Sequence, residues 1–329
     1  MDSFKNRVGI HVNMGKVGVE TGRYSNMFSN NILNIEDRTM PTTAAAFLQD
    51  VENLISLPDV CFRVNEMADD PHASAVDIAE VIGQDPNLVT QLLRIANSPY
   101  YGFPSRVDTI SRAIAVIGTQ DLRDLVLSAS IINAFNASDN EIIDLHKYWS
   151  HSLFTGFVAR QLGSRTKVKV LCKERLFVAG LLHDIGQLVM SMKIPEIMRI
   201  IVHRANLHAE PFHETEKLVF GLGHAEVGGQ LLSHWHLPES LQAVARYHHQ
   251  PENAKEYLLE VSIVHIANAM AHLMDLPGLG TKEKIKVSPV AWESTGLNKK
   301  LVVAAVKRAK LEFDNSISAF MPYAQVANQ

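Results

Sequence analysis

The sequence predicts an all-α protein, and three observations carry that prediction. Apolar residues recur three and four positions apart through most of the chain, as over 88–96 and 174–190. The segments patterned in this way are bounded by helix-capping and helix-ending residues rather than by hairpin turns. No run of useful length alternates apolar with polar residues, the mark of a half-buried strand.

Residues 1–39 stand apart. They are rich in Asn, Gly and Ser, carry turn signals around Asn13 to Gly15 and at Asn30-Asn31, and read as a loosely ordered extension. Met40, followed by Pro41-Thr42-Thr43, opens the first sustained helical pattern, which leaves Met1 and Met40 as alternative starts. From 40 to 137 the chain reads as short helices with marked ends. Ser74 and Asp77 form a capping-box pair, with Val76, Ala79 and Ile82 continuing at helical spacing. Asp85-Pro86 sets a capping acid before a first-turn proline, and the stripe Leu88, Leu92, Leu93, Ile95, Ala96 runs to Asn97-Ser98-Pro99. Thr109 caps a helix that Gly118 closes, and Thr119 opens the next, with Leu122, Leu125, Val126 and Ala129 on one face.

Residues 138–275 are again helical, but His, Gly and Asp interrupt their apolar faces. A last region, 276–329, holds a loop at Pro277-Gly278-Leu279-Gly280, a basic stretch from Lys282 to Lys286 that reads as solvated, and an amphipathic helix over 298–313. The scattered methionines read as core filler.

Composition narrows the function classes. A chain of 329 residues, 47% hydrophobic, can bury one large core or two smaller ones. No apolar run approaches the roughly 20 residues a bilayer requires, and no apolar block follows a basic start. With only Cys61 and Cys172, far apart in sequence, the expectation is a cytoplasmic protein with reduced thiols. Acidic residues outnumber basic ones 35 to 31, which argues against general nucleic-acid binding. The helix pair around Gly118-Thr119, with Arg106, Arg112 and Arg123 nearby, resembles a helix–turn–helix, but such pairs are common in any helical bundle. The aromatic run Tyr100-Tyr101-Gly102-Phe103-Pro104 reads as a turn sealing the junction of the two halves, with ligand stacking as the sharper alternative.

The 15 histidines are the informative count. In Glu174–Met190 a broad stripe of Phe177, Val178, Leu181, Leu182, Ile185, Leu188 and Val189 faces away from Gly180, His183, Asp184 and Gln187. A helix of this kind is buried all round, and its carboxylate then needs a partner: a metal or a hydrogen-bond network. Further candidates are His151, at the start of a helix spanning 151–162; His224, opening a helix in which Gly228 and Gly229 permit close approach; and His248-His249, ending a helix that starts near Pro238. Imidazoles and a bridging aspartate converging from several helices could hold one or two divalent ions, and a nitrogen-and-oxygen ligand set favours Fe or Mn, then Zn, over Ca. His203, His208, His213, His234, His236, His265 and His272 read as ordinary core or surface residues.

The segments Leu57-Pro58, Asp70-Pro71, Asp85-Pro86, Ala96-Asn97-Ser98 and the helix ending at Gly118 resemble the N-terminal half of an HDOD domain. AGLLHDIGQLVM, GHAEVGGQLLSHWHLP, YHHQP and VHIANAMA, within 179–271, resemble its HD-like half. The resemblance spans about 50 to 275 and implies an HD-domain-like helical bundle preceded by a smaller N-terminal helical subdomain. It matches His151 to the first HD-family histidine and His183-Asp184 to the HD pair, while His224, His248 and His249 resemble the further histidines of two-metal relatives. HDOD domains are related to HD and HD-GYP metal-dependent phosphohydrolases and are generally regarded as bacterial signalling modules. Three departures bear on turnover: Asn268 stands at the closing aspartate, Gln187 replaces the HD-GYP lysine, and Gln250-Pro251-Glu252-Asn253 follows His249 where those enzymes have a GYP loop. The expectation is a noncatalytic regulatory module acting on a signalling protein or a nucleotide, away from membranes. The alternative is a phosphodiesterase or other phosphohydrolase using the di-metal site.

Overall fold

Among the described residues every regular element is a helix. The structure, a computed structural model, describes residues 43–54, 57–136, 140–166, 173–274, 276 and 286–321. The extension 1–39, the Met40 start, Cys172, the Pro277–Gly280 loop and all but the last residue of the Lys282–Lys286 stretch lie outside the described residues.

The N-terminal half comprises α1 (Ala44–Leu54), α2 (Asp59–Asp69), α3 (Ala75–Gly83), α4 (Pro86–Ala96), α5 (Ile110–Ile117) and α6 (Thr119–Asn136). Its helices start where the chain supplies its own caps. The Ser74 hydroxyl accepts from the Asp77 N–H at 3.2 Å while the Asp77 carboxylate accepts from the Ser74 N–H at 2.9 Å. The Asp85 carboxylate accepts from the Asn87 and Leu88 N–H groups, and Thr109 accepts from Arg112. Gly118, at φ +94°, ends α5 in a backbone region that favours glycine. Helix α3 turns Ile78, Val81 and Ile82 inward and leaves Val76 56% exposed. The face is set by what α3 packs on, α2 and α5, which periodicity alone does not specify.

Helix α6 is buried almost all round, packed against α2, α4 and the later α8 (Lys173–Leu182). Its Arg123, only 7% exposed, pairs with Asp69 at 3.0 Å and lies 3.5 Å from Asp124. That guanidinium is committed inside the fold. The helix pair around Gly118 therefore lacks Arg123 as a surface contact.

The HD-like half opens with α7 (Leu145–Gly163), capped by Asp144, so it begins well before His151 instead of at it. The expected single helix over 174–190 is two: α8 and α9 (Ile185–Lys193), broken at His183-Asp184. Then come α10 (Pro195–His208), α11 (Phe212–Phe220), α12 (His224–His234), α13 (Glu239–Tyr247) and α14 (Leu258–Leu273). After α15 (Pro289–Thr295), the last helix α16 (Lys299–Phe320) runs two turns beyond the expected 313, because Phe313, Ser316, Ala319 and Phe320 are buried against the body.

Residues from Thr42 onward form one unit around a continuous core that runs from Phe47 to Met321. Tyr100 fastens the two halves. Its ring lies 5.2 Å from those of Phe157 and Phe177 and 5.8 Å from that of Phe320. The Arg160 guanidinium sits 4.3 Å over the ring, and the hydroxyl donates to Glu174, which also accepts from Arg160 at 2.8 Å. The aromatic turn is thus a packed junction.

Glycines let the site helices close up. A Cβ on Gly180 would stand 2.6 Å from the Gly156 Cα, and one on Gly186 would stand 2.0 Å from the His224 carbonyl oxygen. Those contacts bring α7 against α8 and α9 against α12, which gathers the histidines.

Candidate metal centre

Five structural elements deliver the side chains. His151 comes from the second turn of α7, His183 and Asp184 from the α8–α9 break, His224 from the first residue of α12, and His248-His249 from the end of α13. All but His249 are buried, with His151, His183 and His248 fully so. The break matters locally. Asp184 stands at the N-cap position of α9, yet its carboxylate makes no cap hydrogen bond and is left for the histidines.

That carboxylate sits between two groups. Its Oδ2 is 3.2 Å from His183 Nε2 and 3.7 Å from His151 Nε2; its Oδ1 is 3.2 Å from His224 Nε2 and 3.3 Å from His248 Nε2. The two Nε2 atoms of His151 and His183 are 3.4 Å apart, and those of His224 and His249 are 2.9 Å apart. Two sets result: Asp184, His224, His248 and His249, and His151, His183 and Asp184, with the ligand atoms of each set within 4.8 Å of one another. Ligands at about 2.0–2.1 Å around a tetrahedral ion lie roughly 3.3 Å from each other, close to these separations.

Hydrogen bonding decides what the pocket suits. The Nδ1–H of His183 donates to the Gly180 carbonyl (2.8 Å), that of His248 to Ala245 (2.9 Å) and that of His151 to Leu276 (2.6 Å), while His224 Nδ1 donates to the Glu216 carboxylate at 2.6 Å. Each bond fixes a tautomer whose Nε2 carries a bare lone pair toward the carboxylate. Lone pairs facing carboxylate oxygens repel unless a cation lies between them. Asp184 Oδ1 and His248 Nε2, although close, have no directed hydrogen-bond partner. The donor set fits divalent ions.

Without an ion, protons face conflicting demands. Burial, then His183, pushes His151 down to about 3, and burial pushes His248 down to about 4. For His224 burial also acts downward, but Glu216 and Asp184 outweigh it and lift the imidazole to about 10. The Asp184 carboxyl is held well below its ordinary range, because His183 and the other imidazoles overcome the opposing effect of burial. Protonated His224 is then a cation available to the carboxylate.

The structure gathers His151, His183, Asp184, His224, His248 and His249. Asn268 lies on α14 between His265, whose Nδ1 donates to the His248 carbonyl, and His272, whose ring lies 5.1 Å from that of His151. That spacing puts Asn268 on the helix face turned toward the site, and its buried Oδ1 has no hydrogen-bond partner. Gln187 is buried as well, with its Oε1 likewise unpartnered.

Sequence reading missed three residues. Glu216, fully buried, binds both the His224 ring and its backbone N–H; the chain offers no local sign of this beyond an acid eight residues upstream. His213 stacks on His249 at 4.0 Å, and His272 flanks His151; both have a buried Nδ1 without a partner, so neither is an ordinary core or surface residue. His265 is a satisfied core residue, its Nε2 accepting from the Ser288 N–H at 3.0 Å, and His203, His208, His234 and His236 are exposed.

Access is narrow. The depression beside His249, lined by His213, Lys217, Glu226, Arg246 and Gln250 among others, holds about 20 Å³, roughly one water. Small-molecule pockets usually measure about 300–1,000 Å³. A larger cavity of about 260 Å³ lies among α2, α6 and residues 235–238, and none of the site residues lines it.

The HDOD domain pattern matches residues 54–251, well over half of the chain. The chain belongs to the HDOD family. An uncharacterised protein of Treponema pallidum (strain Nichols) is 30% identical to this HDOD protein over 247 residues, 74% of the chain; the match spans just under half of that relative. A crystal structure of an HDOD domain protein of unknown function from Geobacter sulfurreducens is 26% identical, covers 86% of this chain and 98% of its own, and superposes with a TM-score of 0.73. A proposed signal transduction protein of Marinobacter aquaeolei VT8, 18% identical, shares the fold with a TM-score of 0.68 over 90% of this HDOD chain and 64% of its own.

Proposed function

We propose that this HDOD protein is a regulatory binding module in which the buried His/Asp cage holds divalent metal as an internal clip, without turnover. The observation that carries this reading is the convergence of bare Nε2 atoms on the buried Asp184 carboxylate among the described residues. His151, His183, Asp184, His224, His248 and His249 would hold the metal, Fe or Mn ahead of Zn. A bound ion would supply the positive charge that these lone pairs need. Glu216 fixes the His224 ring, and Asn268 and Gln187 offer neutral amides in place of an anion and a cation.

A metal clip ties α7, α8, α9, α12 and α13 together, so occupancy would stiffen the body that presents a surface to a signalling protein or a nucleotide. No helix among the described residues is long and apolar enough to cross a membrane. The second reading, a phosphohydrolase, draws on one observation: Asp184 lies between two ligand sets, as a bridging carboxylate does in two-metal hydrolases.

The deciding experiment is elemental analysis of tag-free protein beside Asp184→Ala, with a phosphoester panel assayed on metal-loaded protein. Retained iron, manganese or zinc that is lost in the variant, with no turnover, is the expected result. Turnover that rises with manganese or iron and vanishes in Asp184→Ala would overturn the noncatalytic reading. Metal-free protein that also takes up none on reconstitution would overturn the clip.

A further inference from the structure

Most arginines of the described residues are engaged: Arg123, Arg160, Arg175, Arg199, Arg204 and Arg308 each pair with a carboxylate. Arg94, on α4, and Arg106, in the loop before α5, are exposed and make neither an ion pair nor a hydrogen bond among the described residues. Both line one groove of about 1050 Å³, which runs between that loop and the end of α16 and touches none of the cage residues. Asp108 is the one acid among its lining residues.

The loop wall is held in place before any ligand arrives. Asn97 donates to the Leu93 and Val107 carbonyls, and its Oδ1 accepts from the Val107 N–H at 2.8 Å, so the residue between Arg106 and Asp108 is clamped on both sides. Gly102, at φ +63°, makes the turn that sets Phe103 parallel to Tyr101, with ring centres 5.5 Å apart. Tyr100 is spent on the junction between the halves, but Phe103 lines the groove. On the facing wall, Ser318 of α16 has a hydroxyl without a partner among the described residues.

We infer that this groove binds a nucleotide, with Arg94 and Arg106 on its phosphates and Phe103 against its base. A guanidinium matches phosphate in a fork of parallel hydrogen bonds, and an aromatic ring stacks on any base. Asp108 is then an acceptor for a ribose hydroxyl, a role carboxylates take in other nucleotide sites. An acidic peptide would use the two arginines but leave Phe103 and Asp108 without a part. Because α16 forms the other wall, a bound nucleotide would tie the N-terminal half to the last helix.

This inference rests on the binding-module reading but not on metal in the cage, and its test keeps the two apart. Full-length protein is titrated calorimetrically with ATP, GTP, CTP and UTP, beside pyrophosphate, adenosine, guanosine and a short single-stranded DNA. At least one nucleotide should bind, more weakly as salt rises. The double variant Arg94→Ala, Arg106→Ala should weaken it about tenfold or more, and Phe103→Leu about fivefold. Arg199→Ala, which breaks an exposed pair with Glu141 outside the groove, should leave affinity unchanged, as should folded Asp184→Ala. No binding by wild type at about 1 mM nucleotide, or equal affinity in the double variant, would overturn the inference while leaving the metal clip standing. Pyrophosphate or the DNA strand binding as tightly as the best nucleotide would overturn it as well. Binding lost in Asp184→Ala but kept in the double variant would move the nucleotide to the metal centre and count against both readings.

Discussion

The two halves of this helical body differ in how most of their helices begin, α2 and the Asp144-capped α7 being exceptions. In the N-terminal half, α3, α4 and α5 each begin at a side chain that caps its own helix, Ser74, Asp85 and Thr109. In the HD-like half, α9, α10, α11, α13 and α14 begin without a side-chain cap hydrogen bond. Proline marks three of those starts instead, at Pro195, Pro211 and Pro238. The lesson is clearest at Asp184, where a carboxylate in a capping position is spent on four imidazoles from three other elements and its neighbour. Local order and site chemistry compete for the same group, and the site wins because the surrounding glycines let the partners approach.

If that contrast is right, the largest effect should come from spoiling a glycine contact. Gly186→Ala puts a methyl group 2.0 Å from the His224 carbonyl oxygen, a backbone atom that cannot step aside. We expect a loss of about 3 kcal/mol or more in denaturant unfolding, together with loss of bound metal. A variant of wild-type stability would break the claim that close backbone approach assembles the site.

The next largest effect tests the junction. Tyr100→Phe keeps the ring packing but removes the hydroxyl that donates to buried Glu174, which retains Arg160. A cost of about 1–2 kcal/mol is expected, with metal content unchanged. A coupled loss of metal would show that the halves are less separable than their construction suggests.

Smaller still, Ser74→Ala removes one half of a capping box on an exposed helix start and should cost about 1 kcal/mol by thermal or urea unfolding, again without touching the metal. The smallest effect is one of pH. Burial would raise the Asp144 carboxyl, but the Lys147 N–H and ammonium hold it below the ordinary carboxylate value. Its folded value is depressed, so its contribution is present above the unfolded value of about 3.9 and fades as pH falls through the folded one. Asp144→Asn keeps the cap but not the charge. Its stability should fall slightly below wild type at neutral pH and match it in acid; a gap that persists in acid would assign the effect to something other than the charge.

How much was legible follows from the same contrast. Ser74, Asp85, Thr109 and Gly118 announced their helix ends because capping is a local bargain between a side chain and backbone groups two or three residues away. The helical class and the histidines of α7, α12 and α13 were legible for a related reason: residue type and 3.6-residue periodicity are properties of the chain itself. The break at His183-Asp184 was not, because an unbroken apolar stripe runs straight through it. Which face of α3 meets a neighbour was not legible either, since a period names a stripe but not its buried side, and Val76 is 56% exposed.

The sequence by itself determined an all-helical body, the positions of the capped helix starts and a set of histidines grouped around one aspartate. Only the tertiary structure decided that Glu216 orients His224 and that His213 and His272 stand beside the cage. The reason is physical. Convergence of side chains distant along the chain depends on helix crossing and glycine contact, and neither distance nor enclosure is encoded in any single segment.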